Sequence, residues 1–230
     1  MPKHIGIVAC SAEGAALCYR TICQEGEKEL GPHRHPEITM HTHSLGEYME
    51  SIERDDWQGV AGLMLSSAEK LAGAGADFLI CPDNTSHRAF DRVAPKSPLP
   101  WLHIAEEVVA EAQRRGFHKL AITGTRYTME GPVYPEKLAQ QGLEFLMPNE
   151  EERERINAII FDELVRGIVS PESRNAFRRI INRTLDEGCD AVVLGCTEIP
   201  LLIDDRSSPL PTLDSTRILA RAALRRALEH

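Results

Sequence analysis

Two stretches of the chain read alike: Gly75-Ala76-Asp77-Phe78-Leu79-Ile80-Cys81-Pro82-Asp83-Asn84-Thr85 and Gly188-Cys189-Asp190-Ala191-Val192-Val193-Leu194-Gly195-Cys196-Thr197-Glu198. Their offset is constant at 113 positions, 188 minus 75. In each, a glycine and an aspartate lead into an apolar run, and the run ends in a short polar cluster. A brief apolar run bounded by turn residues is the pattern of a strand buried on both faces. The repeat therefore predicts two βα units, each with polar side chains at the carboxyl end of a strand, where open α/β sheets bind ligands. On this register Asp83 stands opposite Cys196, and Asn84 opposite Thr197.

Outward from these stretches the alternation continues. Strand-like runs cover residues 5–9, 37–41, 77–80, 119–123, 143–146 and 191–194, with a short extended piece at 101–104 after Pro98 and Pro100. Helical patterns cover 12–30, 57–74, 106–115, 134–141, 150–165, 172–186 and 214–226. Strands alternating with helices of ten or more residues predict an α/β fold with mostly parallel sheets. The repeat makes this two pseudo-symmetric lobes with a shared cleft. The expected division is residues 1–98 with 210–230 as the N-terminal lobe and its closing helix, and 99–209 as the second lobe.

Composition narrows the function. The 230 residues are 42% hydrophobic and 27% charged, with a net charge of −9 and a pI near 5.5. That suits a globular protein with a substantial core. An acidic chain is repelled by nucleic acid and by anionic membranes, so neither is an expected partner. No apolar run approaches the roughly 20 residues that span a bilayer. Met1-Pro2-Lys3-His4 runs directly into a strand-like segment without a signal-peptide core, so a cytoplasmic protein is expected, and Leu228-Glu229-His230 reads as the start of an expression tag. The six cysteines form no CxxC pair and are expected to be reduced thiols. His33, His35, His41 and His43 cluster locally, but no ligand spacing is completed, so no metal is expected. No P-loop or dinucleotide fingerprint is present.

The polar clusters have a precedent as a set. Gly195-Cys196-Thr197-Glu198 and Asn84-Thr85-Ser86-His87 resemble the two motifs of the aspartate/glutamate racemase superfamily. Ile5-Gly6-Ile7 with Ser11 and Tyr19-Arg20 resembles the family's first strand-loop-helix. Leu102-His103-Ile104, Gly124-Thr125 with Thr128-Met129, and Glu163 to Gly167 resemble further segments, so the likeness spans nearly the whole chain. Two departures stand out: Asp83 occupies the slot of the family's first catalytic cysteine, and Ala9 and Cys10 replace its usual glycines.

The resemblance implies cofactor-independent racemisation of a small carboxylate-bearing amino acid, with a homodimer expected. One acid/base group would remove the α-proton and another would deliver a proton to the opposite face. Cys196 and Asp83 are the expected catalytic pair. Ser11, Asn84, Thr85, Thr125, Arg166 and Thr197 are expected to bind substrate, with His87 and Glu198 in support. Small hydroxyl and amide groups at strand ends can hold a carboxylate without a metal, though the same residues are good helix and turn caps. Arg166, just before Gly167, equally suits a charge complementing a helix C-terminus. For Cys196, a helix over 199–203 is expected to favour the thiolate. Cys81, two positions before the repeat's catalytic slot, reads as structural, with a shifted loop that makes it the second base as the rival. Two other functions stay open: a single-thiol decarboxylase or isomerase of the same fold, and a non-catalytic ligand-binding relative.

Overall fold

The computed structural model describes residues 2–229; Met1 and His230, at the ends of the leader and tag readings, lie outside the described residues. Packing divides the chain into Met1–Glu107 with Thr216–His230, and Val108–Ser215.

In the first unit, β1 (Ile5–Ala9) runs into α1 (Ala12–Leu30), followed by β2 (Ile38–Thr42), α2 (Leu45–Glu53), α3 (Trp57–Gly73), β3 (Phe78–Ile80), the short α4 (Phe90–Val93) and the start of α5 (Ile104–Arg114). The sheet is parallel in the order β2-β1-β3, with Ile5 paired to both Ile38 and Phe78. Beyond β3, Trp101 makes a single parallel bridge to Leu79. The core joins Ile5, Ile7, Phe78 and Ile80 from the strands to Cys18 and Ile22 from α1.

The second unit continues with β4 (Lys119–Gly124), α6 (Arg126–Met129), α7 (Val133–Gln140), β5 (Glu144–Leu146), α8 (Glu150–Ala158), α9 (Pro171–Asp186), β6 (Ala191–Gly195), β7 (Thr212–Asp214) and the first residue of α10 (Ser215–Leu228). Its sheet is parallel in the order β5-β4-β6-β7. Its core gathers Ile156, Ile159, Ile160, Phe177 and Ile181 against Val192 and Leu194. The rest of α10 belongs to the first unit, where Leu219, Ala220, Ala223 and Ala227 join that unit's core. The fold is thus α/β, with two parallel sheets flanked by helices.

The sequence repeat is a repeat of local structure. After α3, Gly75 N–H bonds Ala72 O and Ala76 N–H bonds Leu71 O; after α9, Gly188 bonds Leu185 and Cys189 bonds Thr184 in the same pattern. Both glycines adopt the left-handed backbone, φ +89° and +88°, which this helix termination requires and which side chains with a Cβ resist. The aspartates then act alike. The Asp77 carboxylate accepts from His4 N–H at 2.6 Å, and Asp190 accepts from His118 and Lys119 N–H at 2.7 and 3.1 Å. Each carboxylate ties the start of its strand to the neighbouring strand. The next edge repeats as well: Leu79 N–H bonds Pro100 O, as Val192 N–H bonds Pro211 O.

Four differences from expectation have local causes. The segment before α3 forms α2, whose start is closed by a reciprocal Ser44–Glu47 capping box. A strand, β7, forms over only three residues because β6 supplies its hydrogen bonds. The piece at 101–104 contributes one bridge, since α5 begins at Ile104. The helix expected over 150–165 ends at Ala158 and passes through a π turn, Ile159–Glu163, and a 3-10 turn, Leu164–Arg166. Regular spacing from Ile156 and Ile160 would aim Glu163 into the core. The extra residue of the π turn puts Leu164 there instead, and Glu163 accepts from Ser170 and Ser173.

Candidate active site

In the second unit, β4 and β6 end side by side on a glycine pair, Gly124 and Gly195. Neither position tolerates a Cβ: at Gly195 it would lie 2.6 Å from Thr123 O, and at Gly124 2.9 Å from Gly195 O. This close approach releases Thr125 and Cys196 from adjacent strand ends. Thr125 caps α6 by accepting from Thr128 N–H at 3.4 Å, with its hydroxyl 3.3 Å from that of Thr128.

Cys196 is partly exposed, and its Sγ donates to Glu198 Oε2 at 2.9 Å. The Thr197 hydroxyl donates to the same oxygen at 2.7 Å. Glu198 is buried, 6% exposed, so the sulfur is fixed by a carboxylate held inside the turn. The expected helix after Cys196 is only a 3-10 turn, Ile199–Leu201. A single turn lacks the aligned peptide dipoles that would stabilise a thiolate, so the immediate partner of this sulfur is Glu198. Arg166 is exposed on the 3-10 turn that ends at Gly167, φ +74°, where a positive charge complements the carbonyls at the end of the helical segment.

In the first unit, Asp83 follows β3 and is partly exposed. Its Oδ1 accepts from Ser86 N–H at 2.8 Å, so the carboxylate caps the 3-10 turn Thr85–Ala89. His87 Nδ1 lies 2.8 Å from Asp83 O, and its Nε2 accepts from Ile104 N–H at 3.2 Å. Those two backbone partners set a neutral ring with the proton on Nδ1. His87 therefore braces the Asp83 turn against the start of α5, and it stacks on Phe90. Asn84 and Thr85 are buried within the same turn. Ser11 caps α1, accepting from Gly14 N–H at 3.2 Å.

Cys81 is fully buried, and burial first, then the nearby Asp83 charge, pushes its thiol well up. Cys10, at the end of β1, is buried beside Ser86 Oγ at 3.8 Å, and burial followed by Asp83 raises it too. Of Asp83 and Cys81, Asp83 is the accessible one.

No motif in the sequence marked Tyr48. This ring on α2 is completely buried, and its hydroxyl has no hydrogen-bond partner among the described residues. Its electrostatic neighbours include Cys81, Cys10 and Asp83. The Ser44-x-x-Glu47 pattern could have located α2, but not what its tyrosine faces.

Three of the four clustered histidines find ordinary partners for their rings. His41 Nδ1 is 2.9 Å from Ser67 Oγ, His43 Nε2 is 3.2 Å from Ser66 Oγ, and His35 Nδ1 is 2.8 Å from Pro36 O. Among the described residues no group of three or more His, Cys, Asp or Glu side chains is arranged to hold a metal ion. No described helix is long and apolar enough to cross a membrane.

The profile of the Asp/Glu/hydantoin racemase family matches residues 5–223. The chain belongs to that family. Among family relatives, the broad specificity amino-acid racemase RacX of Bacillus subtilis is 24% identical over 164 residues, 70% of this chain and 69% of RacX. A Yersinia pestis protein, provisionally described as an Asp/Glu racemase, superposes with a TM-score of 0.92 at 34% identity, covering 99% of this chain and 100% of that one. PH1733 of Pyrococcus horikoshii, an aspartate racemase homologue, superposes at 0.87 with 31% identity over the full length of both. Family membership fits the fold, since the same two-sheet architecture carries the racemases.

Proposed function

We propose that this protein is a cofactor-independent amino-acid racemase, with Cys196 and Asp83 as its acid/base groups. The observation that carries the reading is Cys196 itself, a partly exposed thiol released by the Gly124–Gly195 pair and oriented by Glu198. One group takes the proton from the substrate α-carbon, and the other supplies a proton to the opposite face of the planar carbanion. Asn84, Thr85, Thr125 and Thr197 bind the substrate carboxylate through hydroxyl, amide and backbone N–H groups at the strand ends, with Ser11 and Arg166 as further ligands. The working form is a cytoplasmic homodimer.

The test is α-proton exchange in D₂O, followed by NMR over a panel of amino acids. Wild type should deuterate at least one. C196S should lose that exchange by a factor of about a thousand or more. D83N keeps the oxygen that caps Ser86 and removes the titrating group, so it should also slow exchange. Full activity in C196S would overturn the reading.

One observation favours a second function. Cys196 is the accessible thiol at the β6 end, whereas Cys81 is fully buried and the matching position of the sequence repeat holds a carboxylate, Asp83. A single thiol suffices for a decarboxylase: the bond from Cα to the carboxylate breaks, CO₂ leaves, and Cys196 protonates the carbanion. Release of CO₂ from a dicarboxylic acid, without α-exchange on any amino acid, would select this function.

A further inference from the structure

The free amides at a helix start are most often capped by an oxygen of Ser, Thr, Asp or Asn. At the start of α5 two buried imidazoles take that place. Ile104 N–H donates to His87 Nε2 at 3.2 Å, and Ala105 N–H donates to His103 Nδ1 at 3.2 Å. His103 is the residue before α5, and its carbonyl accepts from Glu107 N–H at 3.1 Å, so it caps the helix by backbone and ring together. The two rings are 3% and 5% exposed and meet edge to face, with centroids 4.6 Å apart. Phe90 packs on both, at 5.6 and 4.7 Å, and Trp101 meets Phe90 edge-on at 6.1 Å. All four residues belong to the first unit.

The same pair reaches the Asp83 turn. His87 Nδ1 is 2.8 Å from Asp83 O, while Asp83 Oδ1 accepts from Ser86 N–H at 2.8 Å. Asp83 O, the His87 ring and Ile104 N–H therefore form one chain of hydrogen bonds. It runs from the backbone of the residue that bears the carboxylate to the first amide of a helix. It closes only with the His87 proton on Nδ1 and a lone pair on Nε2, and His103 likewise needs a bare Nδ1. A further proton on either ring would point N–H at N–H, at the positive end of a helix. The charged groups of the packed elements are engaged or solvated. Asp83 holds Ser86 N–H, and Arg88 lies 3.3 Å from Asp55 and over the Trp57 ring. Glu107 lies 3.6 Å from Arg225 of α10, and burial raises its carboxyl. Glu106 on α5 and Glu69 and Lys70 on α3 are exposed, and Cys10, beside Ser86, is kept a neutral thiol by burial.

We propose that His87 and His103 are positioning residues for Asp83: as neutral imidazoles they close the start of α5, and His87 ties that start to the backbone of the Asp83 turn, so that protonation of the pair loosens the acid/base group. This rests on the role of Asp83 proposed above. The ring holds the Asp83 carbonyl and leaves the carboxylate to its own work. Neither imidazole touches the reacting atoms. A proton taken up inside the unit is thereby coupled to the placement of a carboxylate at its surface.

Two measurements on the full chain test it. Long-range proton–nitrogen NMR near neutral pH should show His87 neutral with its proton on Nδ1, and His103 neutral with its proton on Nε2. As pH falls from about 7.5 to about 5, across ordinary histidine titration, the Ser86, Ile104 and Ala105 amide signals should shift with the ring signals. The Gly14 amide, capped by Ser11, should not follow them. The second measurement separates the two ends of the His87 ring. H87N keeps a donor at the Nδ1 position, facing Asp83 O, and H87Q keeps an acceptor at the Nε2 position, facing Ile104 N–H. Both should lower the melting temperature. In the D₂O exchange assay H87Q should lose about tenfold in kcat with KM within about twofold, and H87N about threefold or less. Equal losses in the two variants, or rings that titrate without moving the three amides, overturn the proposal while leaving racemisation standing. If wild type exchanges no amino acid, the amide signals decide. Ser86 moving with the rings sustains the coupled cap and rejects the racemase function, and a Ser86 signal that stays in place rejects both.

Discussion

Cys196 and Glu198 are joined by a hydrogen bond from Sγ to Oε2 of 2.9 Å, and the same oxygen takes the hydroxyl of Thr197 at 2.7 Å. The carboxylate sits two residues from the thiol it orients, inside a turn too short to be a helix. Orientation and charge oppose each other here. Glu198 fixes the sulfur, yet its negative charge disfavours a thiolate beside it.

That opposition makes E198Q informative. The variant removes the charge and weakens the fixed geometry. Iodoacetamide should alkylate Cys196 faster at neutral pH, while turnover falls by about tenfold to a hundredfold through misplacement of the sulfur. Both quantities moving in the same direction would show that Glu198 does not position the thiol.

Thiol accessibility separates the cysteines. Cys23 and Cys196 are partly exposed, whereas Cys10, Cys18, Cys81 and Cys189 are buried. Burial pushes the Cys189 thiol up to about 11. Limited alkylation followed by peptide mass spectrometry should label Cys23 and Cys196 first, with the other four protected until unfolding. Labelling of Cys81 as fast as Cys196 would restore Cys81 as the rival second base.

The glycine pair ending β4 and β6 should be intolerant of side chains. In G195A the added Cβ meets backbone, Thr123 O at 2.6 Å, so the strands must part. A cost of about 1–3 kcal/mol is expected, with a melting temperature several degrees lower. Proton exchange should fall further than stability alone explains, because Cys196 is the next residue. By contrast G75A and G188A strain only the backbone, at φ +89° and +88°, in matching helix terminations. Urea unfolding should show similar losses of about 1–2 kcal/mol for each.

His41 gives a pH signature. Burial first, then Lys70 and His43, hold its ring below the usual histidine range of 6.5. As pH falls through 6.5, the unfolded chain takes up this proton before the folded one, so stability drops until the lower folded value is passed. H41N lacks that loss. The stability of wild type relative to H41N should therefore be greater at pH 7.5 than at pH 5.5, measured by urea unfolding at both. An unchanged difference would mean that His41 titrates freely in the folded protein.

Much of this was legible in the order of residues. The apolar runs marked β1, β3, β4 and β6, because strands buried on both faces need continuous aliphatic side chains. Gly75 and Gly188 stood at matching places in the repeat, and the left-handed backbone both adopt is one that glycine reaches without strain. The motifs around Asn84-Thr85 and Cys196-Thr197 identified the family, being fixed sets of neighbours along the chain. What the sequence could not decide were relationships between side chains from separate segments. His87 bonding Ile104, the complete burial of the Tyr48 ring, and the π turn that swaps Leu164 for Glu163 each depend on which surfaces pack together. Local preference is written residue by residue, but those choices follow from filling a shared interior at close-packed density, and only the folded chain settles them.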